Sequence, residues 1–342
     1  MMRIVHAANF NHGRYGQLFN AGTDRKLNNG FIRNGHFAYD FSYRDVARYE
    51  GLFKSKKFGV GKTNTRLIEA CANVQPEFLC LGHTEFITAR TLQIIREKVP
   101  GIRIALYWVD PIWIPSELEH IHRRLEFLDA VFLTTGGEHL QQFHTSGTTA
   151  AFLPNPVDPS MERHRNFEKQ AFDVDLIYCG KVGGEEERMR FLRGLRDEAS
   201  DMRLEIYGSM GRPLIFGADF DRKIGSTRMG LNFSRRNDVC LYSSDRLMQL
   251  TGNGLLTFTP RVPELDVLFS EDEVVYFDDV DDLLAKARAF LQDDPRRQRH
   301  ARAGWDKAHS TMNERRIAQY VVEAVFEDSF SQDYAWKNHV LR

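Results

Sequence analysis

Short apolar runs alternate along the chain with longer segments whose apolar residues recur every three or four positions. The first kind predicts strands buried on both faces, the second amphipathic helices. Read this way, residues 3–8 form a strand, 18–33 a helix and 37–41 a strand. A helix over 65–73, a strand over 77–81, a helix over 88–99 and a strand over 103–109 follow. Then come a helix over 116–128, a strand over 130–134, a short helix over 138–146 and a strand over 149–153. Repeated alternation of this kind predicts βαβ units on a parallel sheet.

The pattern breaks at Pro154-Asn155-Pro156-Val157-Asp158-Pro159, three prolines in six residues, followed by a charged stretch to Ala171. Proline cannot continue a ladder, and polar residues build no apolar core. A boundary is expected here, with one domain over 1–157, a linker over 158–172 and a second domain over 173–312. Alternation restarts with strands at 174–178, 203–207, 229–233, 255–259 and 274–277. The helices among and after them fall at 185–198, 219–225, 243–251, 280–291, 295–310 and 313–328. The expected class is α/β, two open parallel-sheet domains facing a cleft, with ligands beyond the carboxyl ends of the strands.

Composition narrows the function. The 342 residues carry 46 Lys+Arg against 47 Asp+Glu, a balance that argues against a nucleic-acid partner. No run approaches ~18 apolar residues, the minimum for a membrane span. Cys71, Cys80, Cys179 and Cys240 form no close pair. That spacing excludes a zinc ribbon and fits free thiols in a reducing compartment, so a cytoplasmic address is expected.

Two segments have the chemistry to hold an anion. Gly180-Lys181-Val182-Gly183-Gly184 follows a strand. A glycine turn there lets backbone approach phosphate, and Lys181 supplies a cation. Ser243-Ser244-Asp245-Arg246 opens a predicted helix that Gly252-Asn253-Gly254 closes. Unpaired N–H groups at such an opening favour anions, with Ser243 and Ser244 as donors and Arg246 as a fixed charge. Tyr207-Gly208-Ser209 ends another strand and is a candidate lining for a base pocket. Other patterns are set aside. Gly59-Val60-Gly61-Lys62-Thr63 lacks a P-loop's first glycine, since Lys56 stands there. Asp219-Phe220-Asp221 and Asp279-Val280-Asp281 read as carboxylates at helix starts rather than metal ligands. His120 and His122 are two apart and point to different faces.

From Arg246-Leu247-Met248-Gln249 to Gly254, the sequence continues through Pro263-Glu264-Leu265, Leu268-Phe269 and Val274-Val275-Tyr276-Phe277. Leu283-Leu284, Pro295-Arg296, Gly304, His309 and Arg315 come next. Over roughly 175–325 this order resembles the CgeB-like, group 1-type glycosyltransferases of the GT-B fold. The resemblance implies two Rossmann-like domains, the first binding an acceptor and the second a nucleotide-diphosphate sugar. It also implies that residues 313–342 return to the first domain. The donor would lie near Gly180, Lys181, Tyr207, Ser209, Tyr242, Ser243, Ser244, Arg246 and Gln249. Gln249 stands where the family has a ribose-binding Glu, and Leu241 where many relatives have another acid. A Gln still hydrogen-bonds a diol but carries no charge.

For the acceptor side the resemblance implies the loop Asn11-His12-Gly13. A base for the acceptor hydroxyl is expected among Asp110, His83 and Glu85, all at strand ends. Neither a cofactor nor a metal is expected, since the nucleotide sugar is a co-substrate. A glycan or lipid-linked acceptor and a role in envelope polysaccharide synthesis are the expected context. Lys54 to Arg66 holds no acidic residue, and reads as a solvated loop able to meet a charged acceptor or anionic lipid at the inner membrane face. The two missing acids carry the alternative, a non-catalytic glycan-binding or surface-assembly protein on the same fold.

Overall fold

The computed structural model describes residues 1–13, 15, 22–145 and 147–342. The chain divides into two compact units, Met1–Pro154 with Glu314–Arg342, and Asn155–Asn313.

The first unit is built on a seven-stranded sheet. Its strands are β1 (Arg3–Ala8), β2 (Phe37–Ser42), β3 (Phe78–Gly82), β4 (Arg103–Trp108), β5 (Ala130–Leu133), β6 (Thr149–Phe152) and β12 (Val340–Leu341). Their order is β12-β6-β5-β4-β3-β1-β2. All neighbours are parallel except β12, which runs against β6. Every residue of β3 is buried, as a central parallel strand covered on both faces requires. Chain order reverses between β1 and β3, which makes their exits the switch point where ligands of such sheets bind. Helices α1 (Thr23–Arg33), α2 (Tyr43–Glu50), α3 (Lys56–Val74), α4 (Ala89–Lys98) and α5 (Pro115–His122) lie between the strands. A Cβ at Gly30 of α1 would sit 2.0 Å from the Glu314 carbonyl, so only glycine allows that approach to the C-terminal helix.

The second unit holds β7 (Val174–Cys179), β8 (Leu204–Tyr207), β9 (Thr227–Leu231), β10 (Leu256–Pro260) and β11 (Val275–Phe277), all parallel. Their order, β11-β10-β9-β7-β8, puts the switch point between β7 and β9. Its helices are α6 (Glu186–Glu198), α7 (Gly217–Gly225), α8 (Arg246–Gly252), α9 (Val280–Gln292) and α10 (Asp294–Thr311). Side chains alternate along β7: Leu176 and Tyr178 join a core with Leu192, Phe258 and Phe290. Ile177 joins a second layer with Tyr207, Ile224 and Leu250. Helix α11 (Glu314–Phe326) packs in the first unit.

Several expectations need correction. Residues 158–172 are not a free linker but part of the second unit. Asn166 is fully buried and donates to the Ile224 and Thr227 carbonyls, while Phe167 enters the core. Hydrogen bonds there do what apolar patterning could not announce. The segment from Lys56 is helix rather than loop, because Gly59 lets α3 meet α2 closely; a Cβ there would stand 1.9 Å from the Ala47 carbonyl. The helix expected over 18–33 begins at Thr23, and residues 18–21 lie outside the described residues. The helix expected over 116–128 stops at His122 and gives way to a 3-10 turn over Leu125–Phe127. The one expected over 138–146 is a 3-10 segment, Gly137–Phe143. The helix expected from 243 starts only at Arg246.

Candidate functional site

In the first unit the exits of β1, β3 and β4 gather titratable groups. His83 follows β3 with φ +44°, and its N–H donates to the Tyr107 carbonyl at 3.0 Å. The Tyr43 hydroxyl lies 2.7 Å from the His83 carbonyl. The imidazole stacks on the Trp108 indole with ring centres 4.0 Å apart. Buried Arg124 fixes the next residue, donating to the Thr84 carbonyl and hydroxyl at 2.7 and 3.0 Å. So held, His83 Nε2 lies 3.1 Å from Asp110 Oδ2 and 4.0 Å from Glu117 Oε2. The Asp110 side chain is 45% exposed. Burial lowers the His83 pKa, against the opposing pull of Asp110 and Glu85. A neutral His83 donating Nε2–H to Asp110 leaves only the Nδ1 acceptor buried without a partner. That tautomer orients the carboxylate and leaves it open for proton uptake. The ligand atoms of His83, Asp110 and Glu117 also lie within 4.8 Å of one another, close enough to hold a cation.

Glu85 is committed elsewhere. Its carboxylate accepts from the Tyr43 hydroxyl and pairs with Arg44 at 2.9 Å. At the β1 exit, Asn11 has φ +54° and the His12 N–H donates to Asp45 at 2.7 Å. The His12 ring lies 3.0 Å from Arg25 and 3.3 Å from Asp40, and Gly13 is exposed. Beneath them the Tyr107 hydroxyl donates to Asp24 at 2.5 Å and lies 2.9 Å from His6. Burial pushes Asp24 up to about 6 and His6 down to about 4.

In the second unit Arg246 bridges the switch point. Its Nε donates to the Cys179 carbonyl at the end of β7 at 2.9 Å. Its Nη1 donates to the Phe233 carbonyl beyond β9 at 3.1 Å. The guanidinium lies over the Tyr178 ring at 4.6 Å. A Cβ at Gly180 would come within 2.2 Å of Arg246 Nη2, so a side chain there would displace the guanidinium. A second guanidinium, Arg188 from the first turn of α6, lies over the same ring at 6.0 Å and donates to the Lys181 carbonyl. Burial lowers its pKa, and the like charge of Arg246 adds to that. Two cations thus flank one glycine turn, with the Lys181 side chain exposed beside them.

Ser244 donates its hydroxyl to Asn232 and its N–H to Ser234, both at 3.2 Å. Ser243 is buried, and its carbonyl accepts from Asn155 at 3.4 Å. Leu241 is fully buried at φ +56°. Gln249 donates to Asp245 at 2.8 Å. Next to Phe233, a cavity of about 530 Å³ is walled by Phe191, Phe277, Arg190 and Arg261.

Residues 188–323 match the family model described as glycosyl transferase-like. The whole chain resembles solved structures at low identity. Sucrose-phosphate synthase from Thermosynechococcus elongatus aligns at TM-score 0.60 and 10% identity, over 94% of this chain and 98% of that one. HepE of Anabaena, solved with UDP-glucose, aligns at 0.59 and 9%, over 95% and 99%. AviGT4, a glycosyltransferase of avilamycin A biosynthesis, aligns at 0.58 and 14%, over 95% and 97%. The chain thus has the GT-B fold, with a glycosyl transferase-like segment over 188–323. No curated protein sequence matches it.

Of the expected site residues, His83 and Asp110 are in contact, and Arg246 of α8 reaches the turn that holds Gly180 and Lys181. Glu85, in the turn after β3, is tied to Arg44 of α2 instead, a partner that the sequence does not reveal. The Tyr207 hydroxyl donates to Glu205 and its ring lies beneath Arg212 at 4.3 Å, in the layer away from Tyr178. Ser209 is buried, 3.7 Å from Met189 Sδ, and Tyr242 is buried as well. Ser243 and Ser244 precede a helix of only seven residues whose N-cap, Asp245, makes no side-chain capping bond, so they do not form its anion-binding end. The Ser244 hydroxyl and N–H and the Ser243 carbonyl serve internal bonds. Asp279 caps α9, accepting from the Asp282 N–H, and Asp221 pairs with Arg163 and His164, in line with their reading as structural carboxylates. Sequence reasoning missed Arg188. Only its place one turn into the helix after the glycine turn could have signalled it.

No helix among the described residues is long and apolar enough to cross a membrane.

Proposed function

We propose that the chain is a glycosyltransferase, that its second unit holds a nucleotide-diphosphate sugar and that Asp110 of the first deprotonates an acceptor hydroxyl. The observation that carries the reading is Arg246 spanning the β7 and β9 exits beside Gly180, with Arg188 fixed across the same turn. Two like charges held this close, one of them in a dry setting, favour an anion between or above them. As the glycosidic bond to the diphosphate breaks, negative charge grows on the leaving phosphate. Arg188, Arg246 and exposed Lys181 stabilise it without a metal. Phe191, partly exposed in the wall of the cavity next to Phe233, offers an apolar surface against which a nucleobase can pack. Gln249 serves the ribose diol as a neutral hydrogen-bonding side chain.

On the acceptor side, His83 is a positioning residue. It donates to Asp110, which takes the hydroxyl proton while the acceptor oxygen forms the new bond to the anomeric carbon. Asn11, His12 and Gly13 would line the acceptor's approach. A glycan or lipid-linked acceptor in envelope polysaccharide synthesis is the context proposed. The test is nucleoside-diphosphate release from UDP-, GDP-, ADP- and dTDP-sugars, for the native chain, Asp110→Asn and Arg246→Ala. Release by the native chain alone supports the reading. Nucleotide binding without release from any donor would move the protein to the non-catalytic alternative.

A further inference from the structure

The α2–α3 turn exposes an apolar cluster that the transfer reaction does not use. Phe53 is 96% exposed, Tyr49 88%, Leu52 70% and Phe58 62%, four large side chains within ten residues. A soluble surface rarely leaves so much apolar area together without a partner. Phe53 and Lys54 both hold left-handed backbone, at φ +57° and +56°. The hairpin below them is firm: α3 meets α2 backbone to backbone at Gly59, and Lys54 and Ser55 close the turn onto the Gly51 and Leu52 carbonyls. The tip therefore presents Leu52 and Phe53 as a fixed wedge.

The charge around the wedge selects its partner. Between Glu50 and Glu69 the chain has Lys54, Lys56, Lys57, Lys62 and Arg66 and no carboxylate. Lys62 and Arg66 lie within reach of Glu50, whereas Lys54 and Lys57 are exposed next to the wedge. Apolar side chains ringed by lysines match an anionic bilayer, which takes the first into its acyl boundary and the second at its headgroups. A second copy of this chain fits worse, because a symmetric contact would set these lysines against their own images.

We infer that the α2–α3 turn is a membrane-docking wedge that inserts Leu52 and Phe53 into an anionic lipid surface. This assigns the contact to the apolar tip together with its lysines, and it stands apart from the donor reading, since vesicle binding needs no turnover. The experiment is co-sedimentation of the full chain with vesicles of phosphatidylglycerol and phosphatidylcholine, against phosphatidylcholine alone. Binding to the anionic vesicles is expected, weakened at least tenfold by Leu52→Ser with Phe53→Ser. Lys54→Glu with Lys57→Glu should weaken it similarly, as should raising salt from about 0.1 M to about 1 M. Both pairs are exposed, so unchanged melting is expected and serves as the folding control. No sedimentation with anionic vesicles, or equal sedimentation of the Leu52→Ser/Phe53→Ser variant, overturns the inference. So does a chain that dimerises in sedimentation velocity and loses the dimer in that variant, since the wedge would then bind a second copy.

Discussion

The two sheets share one topology at their switch points but surround them with opposite chemistry. At the exits of β1, β3 and β4 the polar groups are titratable: His6, Asp24, His83 and Asp110 touch through tyrosines or directly. At the exits of β7 and β9 the polar groups are guanidiniums anchored on backbone carbonyls. A titratable cluster can move a proton near neutral pH, whereas an anchored guanidinium keeps its charge and its direction. On the proposed function the difference separates proton transfer from anion holding along the chain, and it sets what each substitution should break.

The largest effect is expected for Asp110→Asn, a loss of turnover of about 10²–10⁴-fold with nucleoside-diphosphate affinity unchanged. His83→Gln should cost less. In the native chain the rate should fall on acidification through a pKa below 6.5, as His83 gains a proton and pairs tightly with Asp110. That limb should vanish in His83→Gln, which a pH profile of kcat/KM reads out.

Next comes Arg246→Ala. Loss of a charge-assisted contact of about 1.5–3 kcal/mol weakens nucleotide binding roughly 10–100-fold. Arg246→Lys should not restore it, because an ammonium cannot bridge two carbonyls in the same plane. Calorimetric titration with the matching diphosphate would show both.

The smallest effect is on stability. His6, lowered to about 4, makes the native state take up fewer protons than the unfolded chain as pH falls below 6.5, so stability drops over that window. Asp24, raised to about 6, works the other way, since the native state binds its proton first. Asp24→Asn removes the compensating uptake. Its melting temperature should fall further than that of the native chain between about pH 6.5 and about 4.5. Equal slopes would show that the two groups do not oppose each other.

Much of the fold is legible because its strands are continuous apolar runs, as in Phe78-Leu79-Cys80-Leu81. Helix α2 escapes because only Tyr43 and Ala47 of its eight residues are buried. The start of α3 looks like a loop since Gly59 and Gly61 lower helix propensity, and the reason for Gly59 appears only once Ala47 lies against it. The Gly180 turn and Arg246 are readable from glycine after a strand and from motif order. Arg188 is not, since Glu-Glu-Glu-Arg-Met-Arg reads as any solvated helix face until packing buries one of its arginines. The His83–Asp110 contact joins exits of neighbouring strands, which sequence separation alone cannot pair.

On the proposed function the second unit holds a nucleoside diphosphate through fixed cations. Thermal shift with UDP, GDP, ADP, dTDP, CDP and CMP, with and without EDTA, tests it most directly in the native chain, Arg246→Ala and His83→Gln. At about 100 times the dissociation constant one diphosphate should add about 2.7 kcal/mol. A selective, EDTA-insensitive shift that survives His83→Gln and is lost in Arg246→Ala is expected. A shift unchanged by Arg246→Ala, abolished by EDTA, or absent with every nucleotide would contradict it.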